Sequence, residues 1–403
     1  MDVVISGADL VLPDRVLPGG TLIVEHGRVL DLFEGEVPWP AERAVVRLRE
    51  HYVVPGFIDI HVHGVDGVDV LADEEAVGRV ATALPAYGVT GFCPTSIACR
   101  PRELERLLNA TRVARQATAG GARVLPAHLE SNFISPDYAG AQPRECLCRP
   151  PDLSGGSATA GSPDELSGAD ILAVVDAFRP DVGIVTLAPE LPGGLDLVRW
   201  LTGRQIRVSL GHSGASFDEA IAAIDAGARG ATHLFNRMPP LHHRSPGLVG
   251  AVLGSEAVAA ELVGDGYHVH PSLLRTTVLA KGVERVVAIT DGTAGSGLPV
   301  GSRVTLGGRP ILVREEACFL EDGTVAGSRA TMDVVFRTLV HAAGVPLTDA
   351  SQMCSTTPAR ELGMQGFGLI GRGAVADFTV LDRSFRVVQT YIEGRLAYAR
   401  GYA

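Results

Sequence analysis

Eight short apolar runs recur through the middle of this 403-residue sequence, and each ends in polar residues. Helical or irregular stretches separate the runs, which is the alternation expected of parallel strands joined by crossover helices. Eight strands favour a closed barrel over an open, doubly wound sheet. In chain order the runs are GFIDIHVH, GVTGFCPTS, RVLPAHLE, VGIVTLAPE, IRVSLGHS, ARGATHLFN, AVAAELVGDGYH and RVVAITDG. The sequence therefore predicts an α/β fold built on a (β/α)8 TIM-type barrel.

The two ends of the chain have a different pattern from the middle. Alternating stretches such as TLIVEHGRVLDL near the start, and VADFTVLDRSFRVVQTYIEGRLAYA at the end, are broken by Gly, Pro and turn residues. These stretches predict short antiparallel strands without intervening helices. We expect both ends to pair as one small β-sandwich domain, residues 1–53 and 368–403, beside a barrel of residues 54–367.

Several segments outside the apolar runs also have a clear local pattern. Helical spacing marks ELERLLNATRVARQA and FDEAIAAIDAG, and the latter begins after Ser216, a suitable N-cap, and ends at Gly227. After Asp291 the pattern is less regular, with helices predicted over ATMDVVFRTLVHAAG and from near Asp349. The stretch SGGSATAGS, residues 154–162, is typical of a loop that moves or covers a site.

Composition narrows the class of protein. With 46% apolar and 20% charged residues the chain can bury a large core, and its net charge of −11 argues against a nucleic-acid partner. No apolar stretch reaches the roughly 18 residues needed to span a bilayer, so we expect no membrane partner. Six cysteines without a repeated Cys-x-x-Cys pattern indicate neither a disulfide framework nor a zinc ribbon. These features predict a cytoplasmic, enzyme-sized protein.

Polar residues at the carboxyl ends of the predicted strands are the first candidates for chemistry, since barrel enzymes place their sites there. His61 and His63 end the first run, and strand alternation sends both imidazoles to the same side. As a bare motif this pair is weak, because a chance surface pair explains it equally well. The predicted strands in the third, fifth and sixth runs end in Glu130, His212 and His233. Burying five such groups without partners would be costly, so together they predict a metal site.

The same strand ends suggest a reaction. One carboxylate and two imidazoles, as in Glu130, His212 and His233, leave an open position on zinc, although His212 alone is explained equally well as a hydrogen-bonded structural histidine. Asp291 ends the eighth run, where it can take up a proton, and the alternative is an ordinary Asp-Gly turn. A divalent metal activates water and polarises a carbonyl while a carboxylate passes a proton to the leaving amine. This set suits amide hydrolysis.

Five motifs in order, PGFIDIHVHG, HLE, SLGHSGAS, THLFNRM and TDG, resemble those of the N-acetylglucosamine-6-phosphate deacetylases of the amidohydrolase superfamily. The segments HHRSPGLVGAV, DGYHV and GSRATM add to the resemblance, which covers nearly the whole chain. It implies that Glu130, His212 and His233 bind the principal metal. It also implies one or two ions, most often Zn²⁺, with His61 and His63 holding the second. Asp291 is then the proton acceptor and donor, and the substrate is a small amino sugar phosphate.

The resemblance further implies a set of substrate contacts and a homodimer. The substrate-binding residues are Ala141, Gln142, Asn236, Arg237, Arg244, His268, Ala326 and Gly327. Arg244 is implied to anchor the phosphate, reaching a neighbouring subunit's site, a task that suits the guanidinium fork. Without the resemblance, Arg244 is equally well a solvated loop charge and His268 a structural loop histidine.

Three departures from the family pattern lie close to Glu130. Ser131 and Asn132 stand where Gly and Pro are expected, and Gln142 replaces an expected histidine. Residues 143–168 do not follow the expected pattern either. We expect the new hydroxyl and amide groups to contact the substrate or the attacking water. The substrate is therefore less closely defined by the sequence than the reaction.

Four functions stay open at this point. The first is hydrolysis of the acetamide of N-acetylglucosamine 6-phosphate, and the second is the same chemistry on a different N-acyl amino sugar or small amide. The third is a non-catalytic sugar-phosphate-binding protein, which would not need the intact candidate ligands and Asp291. The fourth is a cyclic-amide hydrolase, which commonly carries a metal-bridging lysine. Lys281 lies before the eighth run and not at a strand end.

Overall fold

Eight parallel strands form the centre of the molecule, as the alternation predicts. The computed structural model describes residues 3–37, 44–117, 120–153 and 166–401. The barrel strands are, in chain order, Phe57–Val62, Val89–Ser96, Ala127–Glu130, Val182–Leu187, Arg207–Leu210, Gly230–Ala231, Ala259–Val263 and Val286–Ile289. Each pairs in parallel with the next, and Arg123–Val124 adds a short strand beside the second. Every predicted run contains one of these strands, so the α/β barrel fold is confirmed.

The first and eighth strands meet at their carboxyl ends. Val62 forms a parallel bridge with Gly292, and the backbone N–H of His63 donates to the Gly292 carbonyl at 2.7 Å. Below this contact the Thr290 hydroxyl donates to the buried carboxylate of Asp59 at 2.5 Å. Closure here brings the residues that follow strands one and eight to the same end of the barrel.

Helices join the strands on the outside of the barrel. They are Ala76–Ala83, Pro101–Gln116, Gly168–Ala177, Gly194–Thr202, Phe217–Asp225, Gly247–Gly254 and Pro271–Lys281. After the eighth strand come Met332–Arg337, Leu347–Ser351 and Thr357–Glu361, with π-helical turns Thr338–Ala342 and Gln352–Thr356. Ser216 caps its helix as predicted, because its hydroxyl accepts from the backbone N–H of Glu219 while the Glu219 carboxylate accepts from the N–H of Ser216. The predicted helices after Asp291 are also present.

The two ends of the chain pair in a second, smaller β-structure. Its strands are Val3–Val11, Val16–Glu25, Arg28–Phe33, Val45–Arg47, Tyr52–Pro55, Phe378–Leu381, Val387–Ile392 and Arg395–Ala399. Val53 and Val380 are antiparallel partners across the junction of the two ends, as the alternating patterns predict. The strands enclose their own apolar cluster, which includes Leu10, Leu22 and Phe378. The division of the chain at residues 53/54 and 367/368 stays a prediction.

One element was not predicted. Residues after Asp291 form a small antiparallel sheet of Arg303–Leu306, Arg309–Val313 and Cys318–Leu320. Charged and glycine residues interrupt these short strands, so the alternating pattern that would mark them is weak. Arg309 donates to the carbonyl of Ala141 at 2.6 Å, which ties this sheet to the barrel loops. The predicted loop at residues 154–162 lies outside the described residues.

Two predictions from composition can be compared with the structure. All six cysteines are free thiols, and five of them are buried. Across the ranges that the structure describes, no helix is both long and apolar enough to cross a lipid bilayer.

Candidate active site

The carboxyl ends of the third, fifth and sixth barrel strands bring three predicted ligands together. Glu130 Oε1 lies 2.8 Å from Nε2 of both His212 and His233, and the two imidazole nitrogens are 3.1 Å apart. All three side chains are buried. Their ligand atoms lie within 4.8 Å of one another, as a single metal ion requires.

A second group of three residues lies beside the first. His61 Nε2 and His63 Nε2 are 3.2 Å apart, and each lies 3.4 Å from Asp291 Oδ1. His63 Nε2 is also 3.6 Å from Glu130 Oε2, so the two groups of three residues are adjacent and interact electrostatically. The two histidines point to the same side, as the strand alternation predicts. Asp291 Oδ1 completes a second set of three possible ligand atoms.

In two imidazole rings, the hydrogen bond made by Nδ1, on the side away from the candidate site, determines which nitrogen carries the lone pair. His212 Nδ1 lies 2.7 Å from the carbonyl oxygen of Tyr138, and His63 Nδ1 lies 3.0 Å from that of Thr95. A carbonyl oxygen only accepts, so both Nδ1 atoms carry the proton and donate it. In the neutral imidazole Nε2 is then the acceptor, and it faces the candidate site. Histidines that bind a metal through Nε2 typically donate their Nδ1–H to a carbonyl or carboxylate oxygen in this way.

His61 is oriented in the same way by a buried carboxylate. Its Nδ1 lies 3.1 Å from Glu261 Oε2, and Glu261 lies on the seventh barrel strand. The Nε2 lone pairs of His61 and His63 therefore converge at 3.2 Å, and the His212 lone pair faces Glu130 Oε1. Acceptors this close repel one another unless a cation or a proton lies between them. These converging lone pairs thus fit the ligand set of a divalent metal ion.

The pKa values reflect this demand for positive charge. Burial alone would raise the pKa of Glu130, but the charge and hydrogen bonds of His212 and His233 hold it well below its usual range. Burial opposes protonation of His233, but the hydrogen bond to Glu130 and the charges of Glu130, Asp291 and Glu261 together outweigh burial and raise the pKa of His233 to about 9. Burial lowers the pKa of His61 to about 4. An ionised carboxylate and neutral imidazoles are the forms that bind metal.

Three of these residues have strained backbones. His212, His233 and Asp291 have φ angles of 48°, 31° and 50°, in the left-handed region. Each such residue costs about 1–3 kcal/mol and persists only where the surrounding structure imposes it. The strain turns each side chain inward at the end of its strand. Nothing in the sequence indicates it, because all three are ordinary L residues.

A chain of buried polar groups lies beneath the site. His128 donates from Nδ1 to the Ile60 carbonyl at 2.9 Å, and its Nε2 lies 2.8 Å from the Thr186 hydroxyl oxygen. Thr186 and Thr232 hydroxyls are 2.7 Å apart, and Thr232 donates to Ser209 at 2.7 Å. Each buried group therefore has a partner, which is the condition for polar groups inside a barrel.

A cavity of about 570 Å³ opens over these residues. The predicted site residues that line it are His63, Glu130, Ala141, Gln142, His212, His233, Asn236, Arg237, His268, Asp291 and Gly327. His61 and Ala326 are buried behind its wall. Arg244 is exposed and outside the cavity, where its guanidinium lies 2.7 Å from His243 Nε2. Two larger depressions, of about 620 and 920 Å³, contain none of the predicted site residues.

Several residues of the cavity were not singled out from the sequence. Tyr138, Phe235, Tyr267, Leu306 and Val325 line it, and the last two belong to the unpredicted sheet and its return loop. The sequence does not show whether an apolar or aromatic residue in a loop lines the cavity or is buried in the hydrophobic core.

The side chains of Ser131 and Asn132 do not line the cavity. The Ser131 hydroxyl donates to the Thr186 carbonyl at 2.5 Å, and the Asn132 amide donates to the carbonyls of Cys99 and Cys146 at 2.7 Å each. The expectation that these groups contact the substrate was therefore wrong. In both cases the side chain donates its hydrogen bonds to nearby buried backbone carbonyls instead.

The chain matches the Amidohydrolase family over residues 52–397 and therefore belongs to the amidohydrolases. It is 36% identical to the N-acetylglucosamine-6-phosphate deacetylase of Homo sapiens, covering 95% of this chain and 94% of the human one. It is 34% identical to the N-acetylgalactosamine-6-phosphate deacetylase of Escherichia coli O157:H7, covering 89% and 91%. Within the amidohydrolases it belongs to the N-acetylglucosamine-6-phosphate deacetylase family, which confirms the resemblance.

The fold agrees with this family. A mutant N-acetyl-D-glucosamine-6-phosphate deacetylase from Mycobacterium smegmatis, solved in complex with N-acetyl-D-glucosamine-6-phosphate, superimposes with a TM-score of 0.87 at 30% identity. The match covers 99% of this chain and all of that one. The chain is thus a hydrolase with the fold and the donor groups of a metal-dependent deacetylase.

His268 is held by a carboxylate that the sequence did not single out. Asp265 Oδ2 lies 2.6 Å from His268 Nδ1 and accepts from the Ser328 hydroxyl at 2.8 Å. Burial opposes ionisation of both partners, but their hydrogen bond and their opposite charges together outweigh it, so the pKa of His268 is raised and that of Asp265 is lowered. The His268 contribution to stability is lost as pH rises through its raised pKa. The Asp265 contribution is lost as pH falls through its lowered pKa.

We predict that Asp265→Asn lowers the pKa of His268, because an amide cannot stabilise the imidazolium as a carboxylate does. The measurement is an NMR titration of the histidine ring nitrogens. Asp322→Asn, in an exposed turn where Asp322 accepts from the N–H of Thr324, is the matched control and should leave His268 unchanged. An unaltered His268 titration in Asp265→Asn would contradict the prediction.

Proposed function

We propose that this protein hydrolyses the acetamide of N-acetylglucosamine 6-phosphate, giving glucosamine 6-phosphate and acetate. The convergence of Glu130, His212 and His233 on one point, beneath a cavity large enough for a sugar phosphate, is the observation that carries the proposal. Family membership supports it, since relatives that match most of the chain are deacetylases of this sugar phosphate. A non-catalytic binding role would leave the converging ligands and Asp291 without a purpose.

We infer that Zn²⁺ is the metal. Two imidazoles and one carboxylate from Glu130, His212 and His233 match a common catalytic zinc donor set. His61, His63 and Asp291 are the candidates for a second ion. The metal, when bound, polarises the substrate carbonyl and makes water a stronger nucleophile at neutral pH.

Asp291 is the candidate for proton transfer. Its carboxylate lies at the end of the eighth strand and lines the cavity, 3.4 Å from His63 Nε2. The charges and hydrogen bonds of the neighbouring histidines offset burial and hold the pKa of Asp291 below its ordinary value. Asp291 is therefore ionised at neutral pH, as a base must be, and can pass the proton on to the leaving amine.

The remaining residues would hold the sugar. Asn236, Arg237 and His268 line the cavity with polar groups, and Ala141 and Gly327 contribute backbone at its wall. We propose that these residues, with Gln142 and the neighbouring Ala326, bind the substrate.

Arg244 would anchor the phosphate from a second copy of the chain. It is exposed and lies outside the cavity of its own subunit, which is compatible with a homodimer in which it reaches across. We retain the predicted homodimer and cytoplasmic location as parts of this proposal.

The first test is acetate release by the zinc-loaded protein from N-acetylglucosamine 6-phosphate, its galactosamine epimer and the unphosphorylated sugar. We expect rapid turnover of the first that a chelator abolishes. Faster turnover of the epimer would favour the second candidate, an N-acetylgalactosamine-6-phosphate deacetylase like the Escherichia coli relative. Inactivity on all three with metal bound would exclude the proposed substrate.

Asp291→Asn tests the proton-transfer role. We expect turnover to fall by about 10²–10⁴-fold, because the amide cannot accept the proton, while zinc content stays near that of the wild type. Steady-state kinetics and elemental analysis on the same preparation measure both. Loss of metal together with activity would show that Asp291 acts mainly as a ligand.

Arg244→Ala tests the phosphate contact. We expect kcat/KM for the phosphorylated substrate to fall by about 10–100-fold, the usual effect of losing a charge-assisted hydrogen bond, with little change for the unphosphorylated sugar. Arg15→Ala, at an exposed arginine paired with Asp14, is the control and should change neither. Equal losses on both substrates would remove the phosphate assignment.

A further inference from the structure

The three departures from the family pattern are joined to one another through the chain around Glu130. Ser131 and Asn132 follow Glu130 directly, and the side chain of Gln142 reaches back to it. All three side chains are buried and polar. Since Ser131 and Asn132 do not face the cavity, their part in the site must be sought in what they hold in place.

Asn132 links three segments of the site wall. Its Nδ2 donates one hydrogen to the Cys99 carbonyl and the other to the Cys146 carbonyl, each at 2.7 Å. The backbone carbonyl of Asn132 accepts from the N–H of Cys148 at 2.9 Å. The loop after the second strand and the segment after Gln142 are therefore both tied to the residues that follow Glu130.

Ser131 fixes the turn itself. Its hydroxyl donates to the Thr186 carbonyl on the neighbouring fourth strand and accepts from the N–H of Phe133 at 3.2 Å. A hydroxyl that both donates and accepts at buried backbone sites leaves the turn little freedom. The backbone on which Glu130 sits is held without the expected proline.

Gln142 acts on the carboxylate. The N–H of Ala98 donates to Gln142 Oε1 at 2.7 Å, which fixes the orientation of the amide. Gln142 Nε2 then faces Glu130 and donates to its Oε2. The other oxygen, Oε1, faces His212 and His233 at 2.8 Å each. The two oxygens of Glu130 thus have separate partners.

We propose that Gln142 is a positioning residue that holds Glu130 Oε2 by a hydrogen bond, so that Glu130 presents only Oε1 to the ion that it would share with His212 and His233. Ser131 and Asn132 hold the backbone segments that carry Glu130 and Gln142 in register. Gln142 therefore contributes to metal affinity and geometry in addition to lining the cavity. The inference rests on the proposed metal site at Glu130, His212 and His233.

The test compares zinc affinity in the wild type, Gln142→Met and Glu130→Gln by competition with a chromophoric chelator. Methionine fills nearly the same volume as glutamine and removes the donor, so the site neither opens nor overpacks. Gln352→Met is the matched control, since the Gln352 amide donates to the Pro13 carbonyl far from the site. Thermal unfolding of each metal-free protein shows that it is folded.

We expect Gln142→Met to weaken zinc binding by about 10–100-fold, the usual effect of losing a hydrogen-bond partner of a metal ligand, and Gln352→Met to have no effect. Wild-type affinity in Gln142→Met, whatever its activity, would overturn the inference while Glu130→Gln still loses zinc. Wild-type affinity in Glu130→Gln would instead overturn the proposed metal site.

A crystal structure of the zinc-loaded wild-type protein is a second test, and it needs no variant. In that structure we expect Glu130 Oε1 at about 2.0–2.2 Å from zinc, with Oε2 hydrogen-bonded to Gln142. Both Glu130 oxygens on the metal, with Gln142 turned away, would overturn the proposal even if Gln142→Met failed to fold.

Discussion

The structure depends most on the close approach of acceptor atoms at the mouth of the barrel. Glu130 Oε1 faces two imidazole nitrogens at 2.8 Å, and the lone pairs of His61 and His63 converge at 3.2 Å. Such an arrangement is unfavourable unless positive charge occupies it. Without a metal, a proton supplies part of that charge, as the raised pKa of His233 indicates. A metal ion would supply it with directed bonds, so binding and folding are coupled here.

Groups around the ligands keep these acceptors in place. An oxygen of Tyr138, Thr95 or Glu261 accepts a hydrogen bond from Nδ1 of each of three histidines, and this turns the Nε2 of that histidine inward. Left-handed backbone at His212 and Asp291 then aims two side chains that a regular strand end would direct elsewhere. The cost of that strain, together with the cost of bringing acceptors close, has to be met by the packing of the whole barrel.

The sequence predicted the barrel and the convergence of the candidate metal ligands, and the reason is physical. A parallel strand buried on both faces must be apolar, so a polar residue at its end, such as Glu130 or His233, stands out against its neighbours. Glu261 was not predicted because it lies inside an apolar run. Its hydrogen-bond partner, His61, is 200 residues away in the sequence. Asp265 was not predicted because an Asp-Gly pair also marks an ordinary turn.

Ser131 and Asn132 show the limit of interpreting a departure from a family pattern. A polar residue beside a candidate metal-binding carboxylate suggests altered specificity, yet both donors are hydrogen-bonded to buried backbone carbonyls. Which donor faces a ligand depends on distances across the fold that one sequence does not contain. The cavity wall itself is formed in part by residues that the family pattern did not mark, such as Leu306, and Arg309 donates to the carbonyl of Ala141 in that wall. Epimers differ by the position of one hydroxyl, and a wall that pairs or leaves unpaired that single group can separate them strongly.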